Sequence, residues 1–132
     1  MILVDTSVWI NYFNDISSWQ TDLLDNNLSN DPVFIGDLIL TEVLQGSTSD
    51  KDFQTVKSLF SGLPFCRIGG YEVAVQSAEN CRILQKSGVT VRKTIDVLIG
   101  TFCIMKGMTL LHDDRDFDPM VSHLSLKTSL PL

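Results

Sequence analysis

Four short runs of this chain are almost wholly apolar: Ile2–Val4, Val33–Ile35, Phe65–Ile68 and Met108–Leu111. A strand with one wet face alternates polar and apolar residues, and these runs do not. Each therefore reads as a strand covered on both faces, the habit of a parallel sheet. Between them the chain carries helical spacing. Ser7–Phe13 starts a helix, and Ser17–Leu28 places Trp19, Leu23, Leu24 and Leu28 on one face. Asp37 is expected to cap a helix over Leu38–Gln45, and Ser49 or Asp50 another with Phe53, Val56, Leu59 and Phe60 on one face. Tyr71–Lys86 is a long helix, and Thr94 is expected to cap a last one ending at Lys106. A fifth short strand is expected at Leu124–Leu126. Strands alternating with helices make the fold class α/β, a sandwich around a central parallel sheet. Its 132 residues suit a single domain spanning 1–132.

Charge narrows the function. Of sixteen acidic residues thirteen are aspartate, and the net charge is −6, which argues against a broad phosphate-binding surface. The exception is Asn80–Ile95, which holds no acid but carries Arg82, Lys86, Arg92 and Lys93. Those four are the candidate phosphate contacts, against the plainer reading of a solvated helix face and loop. Cys66, Cys81 and Cys103 form no CxxC pair and read as buried thiols of a reducing compartment. No run is long enough to cross a bilayer and no leader pattern opens the chain, so cytoplasm and no membrane partner are expected.

In open parallel sheets, ligands gather at the carboxyl ends of the strands. Asp5 ends the first strand, and the fourth runs into HDDRDFD, with Asp113, Asp114, Asp116 and Asp118. Asp5 is either a helix cap or a metal ligand. Glu42 interrupts the apolar helix DLILTEVLQG, and Asp96 the apolar TIDVLIGTFCIM. No lysine or arginine lies three or four residues away inside either helix, and ionised carboxylates are rarely buried unpaired. Asp96 in a first turn also has an ordinary explanation in the helix dipole. Ser7 either bonds the pocket or caps the first helix. Together, Asp5, Glu42, Asp96 and Asp114 bring four carboxylates from four elements. They repel one another unless a counter-charge joins them, and an oxygen-only set suits Mg²⁺ or Mn²⁺.

Other carboxylate chemistries fit less well. DRDFDPMVSHLS opens like a calcium loop, but Pro119 stands where glycine is needed and Ser125 where glutamate is needed. An aspartyl phosphatase of the haloacid dehalogenase type needs a second aspartate at position 7, which is Ser7. A receiver domain needs an acidic pair after the first strand and a lysine after the last core strand, and neither is present. His112 reads as packing or hydrogen-bonding scaffold at a strand end.

VDTSVWI, LTEVLQG, TIDVLIG and LLHDDRDFD, in this order and spacing, resemble a PIN-domain ribonuclease, more closely the VapC toxin of VapBC toxin–antitoxin modules. The resemblance runs from residue 2 to about residue 120. It implies a PIN-like α/β/α sandwich and a Mg²⁺- or Mn²⁺-dependent endoribonuclease that inhibits translation. Carried over by position, the catalytic quartet is Asp5, Glu42, Asp96 and Asp114, with Asp5, Asp96, Asp114 and Asp116 toward metal. Ser7, Arg82, Lys86, Arg92 and Lys93 are candidate RNA contacts. Asp113 matches a variable position and Asp118 lies beyond the motif. The resemblance further implies a homodimer, a VapB-type antitoxin reaching into the acidic groove, and operator DNA contacted only through that antitoxin. Gly100 departs from the family's more usual alanine. The competing expectation is a catalytically silent PIN-like domain that only binds its antitoxin.

Overall fold

The computed structural model describes residues 1–132. In chain order the strands are β1 (Ile2–Val4), β2 (Val33–Gly36), β3 (Phe65–Cys66) and β4 (Thr109–Leu111). The helices are α1 (Thr6–Phe13), α2 (Trp19–Asn30), α3 (Asp37–Gln45), α4 (Asp50–Ser61), α5 (Tyr71–Lys86), α6 (Thr94–Lys106) and α7 (Asp118–Leu124), with a 3₁₀ turn over Arg115–Phe117. The sheet is parallel throughout, in the order β3-β2-β1-β4.

This order places the site. The chain leaves β1 toward β2 and β3, then returns to lay β4 on the other side of β1. The ends of β1 and β4 therefore open at the switch point, where a parallel sheet offers a crevice. Leu3, Val4, Leu110 and Leu111 are fully buried, as strands without polar alternation require. Helices α1 to α4 pack among themselves, and α5, α6 and α7 form a second group. No helix is long and apolar enough to cross a membrane.

Local chemistry sets the helix boundaries. Ser18 and Thr21 form a reciprocal capping box at α2, and the Ser49 hydroxyl accepts from Asp52 N–H at α4. Asp37 does not cap α3; Gly36 holds that position. The Asp37 carboxylate instead accepts from Leu38 N–H and, at 2.8 Å, from Ile68 N–H, pinning the strand exit after β3 to α3. Likewise Thr94 is the first residue of α6, and Lys93 is its cap.

Two strand expectations change. β3 stops at Cys66, because Ile68 leaves the sheet and buries itself against Gly36. The strand expected at Leu124–Leu126 is not one. Residues to Leu124 belong to α7, whose apolar Met120 and the preceding Phe117 bury at helical spacing. Ser125 ends the helix in the left-handed region at φ 61°, and the chain then meets the sheet in a single parallel bridge, Thr128 to Leu110.

A Cβ on Gly36 would collide with the δ-methyl of fully buried Ile68 and lie 2.8 Å from its Cγ1. Gly36→Ala should cost about 1–3 kcal/mol by overpacking. Urea unfolding checks this, and an unchanged midpoint would mean that Ile68 repacks freely.

Candidate active site

Asp5 follows β1 directly and is 4% exposed. Its backbone N–H continues the ladder to Leu111 O at 2.9 Å. Its Oδ2 accepts from the Ser7 N–H at 3.0 Å and the Ser7 hydroxyl at 2.6 Å, so it caps α1. The Ser7 Oγ in turn accepts from Asp113 N–H at 3.0 Å. Ser7 thereby ties the exit of β1 to the loop after β4, with both of its roles spent inside the site.

After β4 the loop turns tightly around Asp114. Its Oδ1 accepts from Asp116 N–H at 2.9 Å, and its own N–H donates to His112 Nδ1 at 3.1 Å. His112 is thus scaffold, its ring packed 4.9 Å from that of Phe117. Asp96 enters from the first turn of α6 and is 7% exposed. Carboxylate oxygens of Asp96, Asp114 and Asp116 all lie within 4.8 Å of one another. Asp5 and Glu42 stand outside that tight group. Both bonds from Ser7 engage Oδ2 of Asp5. Glu42, half-buried on α3, accepts from the Thr6 hydroxyl at 2.8 Å through Oε1.

Lys93 corrects the sequence reading of Asp96. It sits three residues before Asp96, just outside the helix, and its Nζ lies 3.3 Å from Asp96 Oδ2 and 3.0 Å from Asp114 Oδ2. An intramolecular cation therefore joins the acids, where the sequence had suggested a free phosphate contact. Arg92 lines a cavity of about 240 Å³ beside the cluster, together with Lys93, Asp96, Asp116, Met120 and Arg115. Arg82 and Lys86 are exposed on α5 and do not line that cavity. Arg115 was missed, although its place between the aspartates of DRDFD was a legible signal. Asp113 is exposed and accepts from Asn11 Nδ2 at 3.2 Å, and Asp118 is exposed at the start of α7.

The charges are unequal. Burial pushes Asp96 up to about 6, only partly opposed by Lys93, and neighbouring Asp5 and Asp114 raise it further. Burial likewise raises Asp5, against the hydrogen bonds from Ser7. For Asp114 burial is outweighed by the Asp116 N–H and Lys93, which hold it below the usual range. Asp114 in turn holds Lys93 well above its ordinary value. An all-oxygen set from three residues, with Asp96 Oδ2 buried and lacking a hydrogen bond of its own, suits a hard divalent cation.

The comparisons agree with this geometry. The sequence profile of the PIN domain matches residues 2–120. The chain is 30% identical over 131 residues to a VapC ribonuclease of Mycobacterium bovis, covering 98% of each chain. This chain belongs to the PIN-domain family of VapC ribonucleases. The same identity and coverage relate it to the ribonuclease VapC11 of Mycobacterium tuberculosis. VapBC2 from Rickettsia felis, solved bound to a DNA fragment from its promoter, shares the fold at a TM-score of 0.77 and 18% identity, covering 98% of both chains. Both mycobacterial relatives are ribonucleases by name.

Asp96 carries a stability signature. Its folded value near 6 exceeds the ordinary 3.8, so between those limits the folded state holds the proton and the unfolded state does not. Stability from this residue is fully present below 3.8 and is lost as pH rises through about 6. In EDTA, wild type should lose on the order of 2 kcal/mol across that window relative to Asp96→Asn. Denaturant titrations at stepped pH test it; parallel curves for the two proteins would refute the burial argument.

Proposed function

We propose that the protein cleaves RNA by metal-dependent in-line hydrolysis at the switch point between β1 and β4. The observation that carries the reading is the convergence of Asp96, Asp114 and Asp116 within 4.8 Å, beside buried Asp5. These three would hold Mg²⁺, or Mn²⁺ in its place. The bound cation supplies charge neutralisation and a water acidic enough to be a nucleophile near neutral pH. Asp5, locked by Ser7, fixes the strand end and adds negative charge behind the cation's ligands. Glu42 is oriented by Thr6 through Oε1, leaving Oε2 to orient the attacking water. Arg92 and Arg115, on the rim of the adjacent cavity, receive the phosphates on either side. Water oxygen bonds to phosphorus as the P–O3′ bond breaks, which leaves a 5′-phosphate and a 3′-hydroxyl. His112 has its Nδ1 committed to Asp114 N–H, so the site has no histidine pair to activate a 2′-hydroxyl.

In this reading the chain is one PIN domain that acts in the cytoplasm as a homodimer. A VapB-type antitoxin covers the acidic groove, and operator DNA is reached only through that partner. The solved VapBC structures of the same fold support the pairing.

Purified protein freed of antitoxin should cut total cellular RNA at discrete positions with Mg²⁺ or Mn²⁺ and not with EDTA. Asp96→Asn should lower the rate by about 10²-fold or more. Sequencing the new ends should return 5′-phosphates; cyclic 2′,3′-phosphate ends would overturn the mechanism.

A further inference from the structure

We propose that Lys93 is a positioning residue with two successive partners: it neutralises Asp96 and Asp114 in the metal-free enzyme, and a divalent cation displaces it onto the RNA backbone. The proposal rests on the metal-dependent reading above.

The geometry forces a choice on Lys93. Its Nζ lies 3.0 Å from Asp114 Oδ2 and 3.3 Å from Asp96 Oδ2, and both carboxylates belong to the group that would hold metal. An ammonium and a dication compete for the same two carboxylates and repel each other, so loading the site releases the lysine. Release is easy on three counts. The lysine side chain is 51% exposed, so its stem can swing outward through solvent without opening the packed interior. Lys93 is the cap residue of α6 but makes no side-chain capping bond, so moving it leaves the helix intact. A lysine head is a point charge on a flexible stem, without the two-pronged grip that arginine has on a carboxylate.

The released ammonium has a place to go. It lies on the wall of the cavity that Arg92 and Arg115 also line, a cationic rim next to the acids. A phosphodiester entering there meets three cations only after metal has freed the third. In the metal-free protein two cations face the strand, and the carboxylates add repulsion. Productive RNA binding is thereby coupled to metal loading by one side chain, and the acidic pair is protected from self-repulsion while it waits.

The test uses the full chain and Lys93→Met, which keeps the stem and removes the charge. Calorimetric titration with MnCl₂ in the absence of RNA should show the variant binding about fivefold more tightly than wild type, since its competitor is gone. A residue with a merely structural role would weaken binding or leave it alone. Asp114→Asn, run alongside, should lose Mn²⁺ binding. The second arm measures affinity for a fluorescent single-stranded RNA oligonucleotide against salt, in EDTA and in Ca²⁺. In Ca²⁺ the variant's slope should fall by about 0.7, one phosphate contact, while in EDTA the two proteins should coincide. Equal or weaker Mn²⁺ binding by Lys93→Met, with wild type still binding, overturns the displacement and leaves the metal site standing. A salt slope reduced equally in EDTA and Ca²⁺ makes Lys93 an ordinary RNA contact and overturns the coupling. If neither wild type nor Lys93→Met binds Mn²⁺, the metal-dependent reading falls and takes this proposal with it.

Discussion

The parallel pairing of β1 with β4 is the contact on which the rest of the molecule depends. Val4 lies opposite Leu111, and the ladder runs one step further, from Asp5 N–H to Leu111 O at 2.9 Å. That step sets the first acid of the chain beside the loop that carries Asp113, Asp114 and Asp116. Ser7 closes the join by donating to Asp5 and accepting from Asp113 N–H. The apolar run at each strand supplies the driving force, since a fully buried leucine contributes about 1.5–3 kcal/mol. The acids are carried along by that burial, at an electrostatic cost.

How that cost is met links structure to function. Three carboxylates within 4.8 Å, with Asp5 behind them, repel one another in a partly desolvated crevice. The chain lowers the cost by two internal means. Backbone N–H groups and the Ser7 hydroxyl bond individual oxygens, and Lys93 bridges Asp96 and Asp114. Neither means satisfies Asp96 Oδ2 with a hydrogen bond, and that atom is buried. An overall charge of −6 is no obstacle to a polyanionic substrate when the local sign of the crevice is set by a bound cation and by Arg92 and Arg115.

Much of this was legible in the sequence, for reasons that differ by residue. The strands announced themselves because double-sided burial removes polar alternation. Glu42 and Asp96 stood out because a lone acid in an apolar helix costs free energy that some partner must offset. Asp5 was read as either cap or site member, and the structure shows that its carboxylate does cap α1 while sitting in the acidic crevice. What the sequence did not show depends on how loops return. Lys93 lies outside the helix that carries Asp96, yet from the cap position its side chain reaches a first-turn carboxylate. Arg115 likewise joins the cavity beside the cluster only through the turn of the loop after β4. The expected strand at Leu124–Leu126 failed because Phe117 and Met120 already supply a helical apolar face, and the sheet is met three residues later by backbone alone. Spacing within an element is written in the sequence. The arrival of one loop against another is not.

The central claim is that the β1–β4 crevice is built to hold a divalent cation on Asp96, Asp114 and Asp116. Anomalous diffraction from crystals soaked in Mn²⁺ tests it most directly. The account predicts one dominant peak bound to the carboxylates of Asp96, Asp114 and Asp116, with the Lys93 ammonium moved away from the first two. A peak confined to other surface acids, or Lys93 still bridging the pair at saturating Mn²⁺, would contradict it.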